Sequence, residues 1–345
     1  MKELATRFRE QAVGCRAYGS ELTASLLEGA AADLEAGGVM ADLMAPHAQD
    51  PRGTVPALRF AGAMHRLVLQ GRAPQLAAHY PSVGGAAPVA EVWPAAEPTV
   101  GEHLEELRTL VRNAVQTNEV GRAAVLFGVL QLLEGPVRLL EVGASAGLNL
   151  RADRFAYEVG DDVLGDPASP VRLVQPWQGT APAYRGVEVV ERRGCDPSPL
   201  DATSPEGRLT LTSYVWADQV ARLDRLKAAI EVAERVPMQV ERAGALEFLT
   251  RELSRPTDVT TLVWHSVVWQ YVHPDERAAV EELLAQAGAE LGPRLVRASM
   301  EPRKSPAPLA FMVRVQRWPG GESAHVADCH GHGPPVRWNG ASMEG

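Results

Sequence analysis

The chain has 345 residues, of which 46% are hydrophobic and 22% are charged, and its net charge is −9. This length accommodates about two domains, and this hydrophobic content supports sizeable cores rather than a disordered chain. The acidic balance, with no long basic run, disfavours nucleic acid as a partner, and no apolar run reaches the length of a membrane span. We therefore expect a small-molecule substrate, no nucleic acid and no membrane partner.

The chain has an odd number of cysteines, Cys15, Cys195 and Cys329, which lie far apart. A disulfide framework is not expected from such a pattern, and a reducing compartment fits it. The first ten residues alternate charges and lack the apolar segment of a secretory signal. These features predict a cytoplasmic protein.

Residues 1–135 are predicted to form a helical N-terminal domain. Apolar residues recur at helical spacing in segments 4–15, 22–27 and 58–69. The segment 80–99, which is rich in Pro and Gly, predicts a loop, and helices are expected at about 100–115 and 119–133. Arg59, His65, Arg66 and the turn at 80–82 are weaker candidates for a role at a site, and a solvated face is the preferred interpretation.

Residues 136–345 alternate predicted strands and helices, which is typical of an α/β domain with a mainly parallel sheet. The first predicted strand is at 138–142, and a Pro-rich insertion at about 153–207 comes after it. After the insertion, strands are predicted at 209–216, 238–241, 260–264 and 294–299, and helices at 220–230, 245–253 and 274–287. The tail, at 311–318 and 324–327, predicts a C-terminal antiparallel hairpin.

The most informative segment is E-x-G-x-S-x-G, which runs from Glu141 to Gly147 after the first predicted strand. Glycine permits a positive φ and a close approach of a ligand, and a following helix N-terminus offers free N–H groups. Ser145 stands between these two glycines, where a serine is tolerable if the residue does not need a positive φ. An ordinary strand-to-helix turn is the alternative interpretation.

This motif resembles the first motif of class I S-adenosylmethionine-dependent methyltransferases, usually written (D/E)-x-G-x-G-x-G. The order of the predicted elements over roughly residues 136–330 also resembles their Rossmann-like, mainly parallel sheet, which a C-terminal antiparallel hairpin closes. The resemblance implies S-adenosylmethionine as the cofactor. The residues that would frame its methionine moiety are Glu141, Gly143, Ser145 and Gly147.

Two further positions follow from the resemblance. Asp218, after the predicted strand 209–216, matches the acid that accepts hydrogen bonds from both ribose hydroxyls, although a helix N-cap is an equal alternative. Many methyltransferases also carry an acid after the third core strand, which holds the adenine amino group. The matching segment around Gly244 contains no carboxylate, so adenine recognition would depend on other groups.

Several blocks are also similar to a bacterial family of unknown function that has a methyltransferase-like core. This resemblance extends over most of the chain and implies no activity. The blocks are residues 116–122, 141–150, 193–196, 216–219 and 328–331.

Four polar side chains are candidates for catalysis. His265 ends the fourth core strand and could act as a general base, although a hydrogen-bonded structural histidine is the alternative. Glu119 and Arg122 precede the first strand, where pairing on a helix face would also explain them. Glu301 follows the fifth core strand. Because ligands bind outside the carboxyl ends of parallel strands, we expect at least two of the four to line one concave pocket that also touches Gly143 or Ser145.

The sequence predicts no metal site, because His325, Cys329 and His330 are too crowded to form a tetrahedral centre. A methyltransferase that acts on a small molecule is the favoured interpretation. A methyltransferase-like fold without methyl transfer remains the alternative. That alternative includes another group transfer, an elimination on a small molecule, or a scaffold that binds a ligand or partner.

Overall fold

The structure, a computed structural model, describes residues 1–303 and 311–339. The chain divides into two compact units. The first comprises Met1–Thr117 and Pro205–Asp224, and the second comprises Asn118–Ser204 and Arg225–Gly345. None of the helices in the described ranges combines the length and the apolar character that crossing a membrane requires.

The helices of the described residues vary from one turn to 18 residues. They are α1 (Lys2–Ala17), α2 (Glu21–Ala36), α3 (Val39–Met44), α4 (Pro56–Leu69), α5 (Pro74–Ala77), α6 (Val92–Glu102), α7 (Leu104–Leu110), α8 (Ala123–Leu130), α9 (Pro205–Ser213), α10 (Val220–Arg235), α11 (Ala245–Leu253) and α12 (Pro274–Leu291).

The strands of the described residues all lie in the second unit. They are β1 (Val137–Val142), β2 (Ala156–Val159), β3 (Asp162–Gly165), β4 (Arg172–Val174), β5 (Trp177–Gln178), β6 (Val189–Asp196), β7 (Val240–Arg242), β8 (Thr260–Ser266), β9 (Leu295–Pro302), β10 (Phe311–Arg317), β11 (Glu322–His330) and β12 (Gly333–Trp338).

The first unit is helical, and its core is formed by the apolar faces of α1 to α7. Two predictions for it were wrong. The segment 80–99, expected to be a loop, contains the start of α6 at Val92. The segment 209–216, expected to be the second core strand, lies mostly in helix α9. Its Thr residues and the Tyr, Val and Trp that follow them have high β propensity, but α9 packs on α4, and tertiary packing overrides local propensity.

The second unit contains a nine-stranded sheet in the order β5-β12-β11-β10-β9-β8-β1-β6-β7. The five strands from β9 to β7 in that order are parallel, whereas β10, β11 and β12 continue the sheet as an antiparallel meander. The α/β class, the mostly parallel sheet and the C-terminal hairpin are therefore confirmed. Strand β1 is buried along its whole length between β6 and β8. It is the middle strand of the five parallel strands, and we call it the central strand.

The insertion predicted at about 153–207 was assigned too broadly, because β6 lies inside it and pairs with β1. Only β2, β3 and β4 form a separate small sheet. Strand β6 contains a charged run from Glu191 to Arg193. In the structure each charge has a partner: Arg138 lies 3.1 Å from Glu191, Arg192 lies 3.0 Å from Asp153, and Arg193 lies 3.3 Å from Glu252. Pairing makes a charged strand next to the central strand possible.

The predicted domain boundary at residue 135 stays a prediction. Helix α8, which precedes that boundary, is grouped with the second unit, and the segment 205–224 is grouped with the first. The predicted helix at 100–115 corresponds to parts of α6 and α7, and the one at 119–133 corresponds to a short 3₁₀ turn at Val120–Arg122 followed by α8.

Candidate functional site

The turn after β1 contains three residues in the left-handed region: Gly143 at φ 71°, Ser145 at φ 53° and Gly147 at φ 68°. The N–H groups of Gly143 and Ala144 donate to the carbonyl of Cys195, at 2.9 and 3.0 Å, which fastens the turn to the end of β6. The serine departure is therefore not neutral, because Ser145 does need a positive φ. A side chain there costs about 1 kcal/mol, and such strain concentrates at functional sites.

The two glycines are required by neighbouring protein atoms. A Cβ at Gly143 would lie 2.4 Å from Cγ2 of Val268, and one at Gly147 would lie 2.9 Å from Cγ2 of Val240. Close packing within the protein thus explains the glycines, where the sequence had suggested the approach of a ligand. The turn is consequently rigid and closely packed against the loop after β8.

Asp196 occupies the strand end at which Asp218 had been expected. It ends β6, which is the strand beside β1, and its carboxylate accepts from Ser145 N at 3.0 Å and from Ser198 N at 2.8 Å. Sequence reasoning missed it because β6 had been placed in the insertion. The sequence signal that could have identified it was an aspartate at the end of a segment able to form a strand.

Asp218 follows no strand and belongs to the first unit. Its Oδ1 accepts from the Ser20 hydroxyl at 2.6 Å, and its Oδ2 accepts from Leu22 N at 2.9 Å. Asp218 therefore ties down the start of α2, so the strand-end position on which its cofactor role rested was wrong.

Glu141 is a buried carboxyl group in the central strand, with 2% of its surface exposed. Burial raises the pKa of Glu141 to about 8; the charge of Arg122 opposes this rise, the charge of Asp196 adds to it, and the nearby side chain of Trp264 also opposes it. The indole N–H of Trp264 does not reach hydrogen-bond geometry, and the Oε2 atom of Glu141 has no partner of that geometry among the described residues. An unsatisfied buried carboxyl oxygen is costly, and it marks a place where a donor would be accepted.

The segment before α8 packs on the motif turn. Asn118 Oδ1 accepts from Leu148 N at 2.8 Å, and Asn149 Nδ2 donates to the carbonyl of Glu119 at 3.2 Å. The Glu119 carboxylate accepts from Gly121 N at 3.0 Å. Glu119 is thus 7% exposed and acts as a cap for the short turn that follows it.

Arg122 connects three parts of the second unit. Its Nε donates to the carbonyl of Gly331 at 3.1 Å, in the turn between β11 and β12, and its Nη1 donates to the carbonyl of Ser266 at 3.3 Å, at the end of β8. Its charge also acts on Glu141. Residues from three of the blocks that carried the family resemblance, 116–122, 141–150 and 328–331, therefore meet at this edge of the sheet.

His265 and Glu301 are brought together, as expected, at the carboxyl ends of β8 and β9. Nδ1 of His265 lies 2.8 Å from Oε1 of Glu301, and Nε2 lies 3.2 Å from the guanidinium of Arg297. Since a guanidinium only donates, Nε2 must accept and Nδ1 must carry the hydrogen. Both ring nitrogens are engaged, and burial lowers the pKa of His265. This geometry favours the structural alternative over a general base.

The His265–Glu301 pair shapes the loop that packs on the motif turn. Glu301 Oε1 also accepts from the backbone N–H groups of Val268 and Trp269, each at 3.2 Å. Val267, just before them, has φ 55°, which is unusual for a β-branched residue and marks strain. Strained residues therefore follow both β1 and β8, at the same edge of the sheet.

The missing acid near Gly244 has a counterpart from another helix. Oε1 of Glu276, in the first turn of α12, accepts from Leu246 N at 3.2 Å and lies 2.9 Å from the Cβ position of Gly244. A carboxylate thus stands beside the segment after β7, although no acid occurs there in the sequence. Only packing of α12 on α11 could reveal it.

Within residues 1–303 and 311–339, no group of three His, Cys, Asp or Glu side chains has the geometry of a metal site. In the tail, Asp328 Oδ1 instead lies 3.1 Å from His325 Nε2 and 3.0 Å from the Arg303 guanidinium. These side chains form a hydrogen-bonded ion pair at the end of β11.

The fold and this site define an α/β protein whose mostly parallel sheet carries a glycine-containing turn and a buried acid at the end of its central strand. The chain belongs to the family described as "Uncharacterized protein conserved in bacteria (DUF2332)", whose model matches residues 5–338. No curated protein and no solved structure shows a significant match to the chain.

Proposed function

We propose that this protein is an S-adenosylmethionine-dependent methyltransferase that acts on a small molecule. The observation that carries the proposal is the buried carboxyl of Glu141, whose Oε2 has no hydrogen-bond partner among the described residues. It stands directly before a turn with three residues in the left-handed region. The methionine end of the cofactor carries an ammonium group, which would supply the missing donor and the compensating charge.

Two other carboxylates fit the same ligand. Each oxygen of Asp196 accepts one backbone N–H, and a carboxylate oxygen can accept a second hydrogen, so Asp196 retains capacity for the ribose hydroxyls. Glu276, beside Gly244, could accept from the adenine amino group. The residues present are therefore compatible with the cofactor, with Asp196 in the role first assigned to Asp218.

The bound cofactor would supply an activated methyl group, and the residues of the chain would hold and align the reactants. Alignment alone contributes about 7–11 kcal/mol in favourable cases. Because both nitrogens of His265 are engaged, the proposal uses no proton transfer to this residue. Arg122, Glu119 and Glu301 then hold the loops around the site and do not touch the substrate.

A second candidate keeps the binding site at the end of β1 and drops the methyl transfer. The observation that favours it is the tight packing of the turn, since Val268 fills the space beside Gly143 and both Asp196 oxygens are already bonded to the backbone. In this case the same sheet edge would bind a different cationic small molecule through Glu141, either for another reaction or for binding alone.

Calorimetric titration of the full chain with S-adenosylmethionine and S-adenosylhomocysteine tests the proposal. The pKa of Glu141, about 8, keeps its carboxyl protonated at neutral pH, so an ammonium ligand must displace that proton. We therefore expect affinity to rise between about pH 6 and pH 7, by up to about tenfold.

The variant Glu141→Gln should bind more weakly and lose this pH dependence. Glu247→Gln, an exposed acid on α11 of the same unit, is the matched control and should behave like the unmodified protein. If neither ligand binds, the methyltransferase proposal fails and the second candidate remains. If they bind without any pH dependence, Glu141 does not contact the ammonium group.

A further inference from the structure

A serine, a histidine and a backbone carbonyl form a relay within the first unit. His65, on α4, places Nε2 2.8 Å from the hydroxyl of Ser82 and Nδ1 3.2 Å from the carbonyl oxygen of Ser213. A carbonyl only accepts, so Nδ1 must carry the hydrogen and Nε2 must present its lone pair. The Ser82 hydroxyl therefore donates to His65.

The Nε2 lone pair of His65 faces a hydroxyl that can give up its proton, whereas that of His265 faces a guanidinium. His65 is 3% exposed, and its ring packs against that of Tyr80, with centroids 5.6 Å apart. Burial lowers the pKa of His65 to about 4, so the ring is neutral at pH 7. The sequence had suggested a solvated face here, which was wrong for His65 and for Arg59, since both are buried.

The serine, in contrast, lies at the surface of the unit. Ser82 is partly exposed within the short turn Pro81–Val83, and the next residue, Val83, is 44% exposed. Gly84, in the left-handed region, has no atom within 4 Å of its Cβ position. The turn that carries Ser82 is therefore partly open to solvent, while His65 is buried behind it.

We infer that Ser82 is the nucleophile of a second active site, which hydrolyses small carboxylic esters, with His65 as its base and the Ser213 carbonyl as the group that orients the ring. A nucleophile, a base within hydrogen-bond reach and a third orienting group are the arrangement that activates a serine. This site lies in the helical unit, and it is independent of the proposed methyltransferase function.

The reaction proceeds in two balanced halves. The Ser82 oxygen attacks the acyl carbon while its proton moves to Nε2 of His65, and the ester C–O bond breaks as the departing alcohol takes that proton. Water then attacks the acyl-serine, again through His65, which releases the acid and restores the hydroxyl. The net change is ester plus water to acid plus alcohol.

The first test uses the full chain with a fluorophosphonate probe and with p-nitrophenyl acetate. Peptide mapping should place the phosphonyl label on Ser82, and Ser82→Ala should lower ester hydrolysis by at least about tenfold, a modest part of what general base catalysis supplies. Ser254→Ala is the matched control and should change nothing, because the exposed Ser254 hydroxyl donates to the carbonyl of Arg251 and not to a histidine.

A second test replaces the oxygen atom of the nucleophile at position 82 with sulfur. In Ser82→Cys the thiol should react with iodoacetamide at least about tenfold faster than in Ser254→Cys, because a neighbouring base raises the thiolate fraction. Background is low, since the native cysteines are buried and burial raises the pKa of each to about 12.

Two results would overturn the inference. If the probe leaves Ser82 unlabelled, or if the two introduced thiols react at equal rates, Ser82 only satisfies a buried histidine. Thermal unfolding of each variant shows whether the first unit remains folded, so a loss of labelling can be separated from a loss of structure. Neither result bears on cofactor binding in the second unit.

Discussion

Substituting Gly143 by alanine probes the motif turn directly. Two costs add at this position. The left-handed backbone, at φ 71°, costs a residue with a Cβ about 1 kcal/mol. The new Cβ would also lie 2.4 Å from Cγ2 and 2.9 Å from Cβ of Val268, and such overpacking costs about 1–3 kcal/mol. We therefore expect a loss of about 2–4 kcal/mol in the free energy of unfolding.

Gly135 provides a control for the backbone term alone. It has φ 69°, and no atom lies within 4 Å of its Cβ position, so Gly135→Ala should cost only about 1 kcal/mol. Both glycines belong to the second unit. The difference between the two variants in urea denaturation, followed by circular dichroism, therefore isolates the steric overlap with Val268.

A rescue completes the cycle. Val268→Ala removes the atom 2.4 Å away and keeps the one at 2.9 Å, so it should recover about 1 kcal/mol or more when combined with Gly143→Ala. The reasoning is refuted if Gly143→Ala costs no more than Gly135→Ala, or if the two substitutions at 143 and 268 are simply additive.

Two further predictions concern the acids of the site. Burial raises the pKa of Glu141 from 4.5 to about 8, so the folded state keeps a proton that the unfolded state loses. The stability of the unmodified protein relative to Glu141→Gln should therefore fall between about pH 5 and pH 8, by up to about 1.4 kcal/mol per pH unit. If the denaturation midpoints of the two proteins differ by a constant amount across that range, the pKa of Glu141 is not raised in the folded state. Asp196→Ala leaves two backbone N–H groups without their acceptor, so it should lower the free energy of unfolding by about 2–3 kcal/mol. Asp196→Asn should cost less than this. If thermal or urea unfolding shows the same loss for both variants, the described contacts of Asp196 are not what stabilises the turn.

Much of the second unit could be predicted because its signals are local. Helix α11 was predicted with its observed bounds, and the predicted strand at 260–264 lies within β8. Both segments have an apolar periodicity that depends only on neighbouring residues, with a glycine or proline near an end. The same holds for the motif turn, whose two glycines have the positive φ that their spacing suggested.

The errors share a physical cause. The Thr- and Leu-rich segment at 209–216 has β propensity, yet α4 holds most of it as helix α9. Strand β6 was placed in the Pro-rich insertion, yet it joins the main sheet, and Arg138 and Glu252, which are distant in the chain, pair with two of its charged residues. Propensity and charge are local properties, whereas the partner that outweighs them is supplied by another part of the fold.

The sequence by itself determined that this chain is an α/β protein with a glycine turn and an acid at the end of its first core strand, because each of these features is encoded by residues that are close together in the chain. Only the tertiary structure decided which side chains meet. It placed Asp196 against the turn and gave both ring nitrogens of His265 hydrogen-bond partners. It also brought Ser82 and Ser213 to the two sides of His65, although they are 17 and 148 residues away from it in the chain. Long-range packing chooses such partners, and no spacing within one segment encodes them.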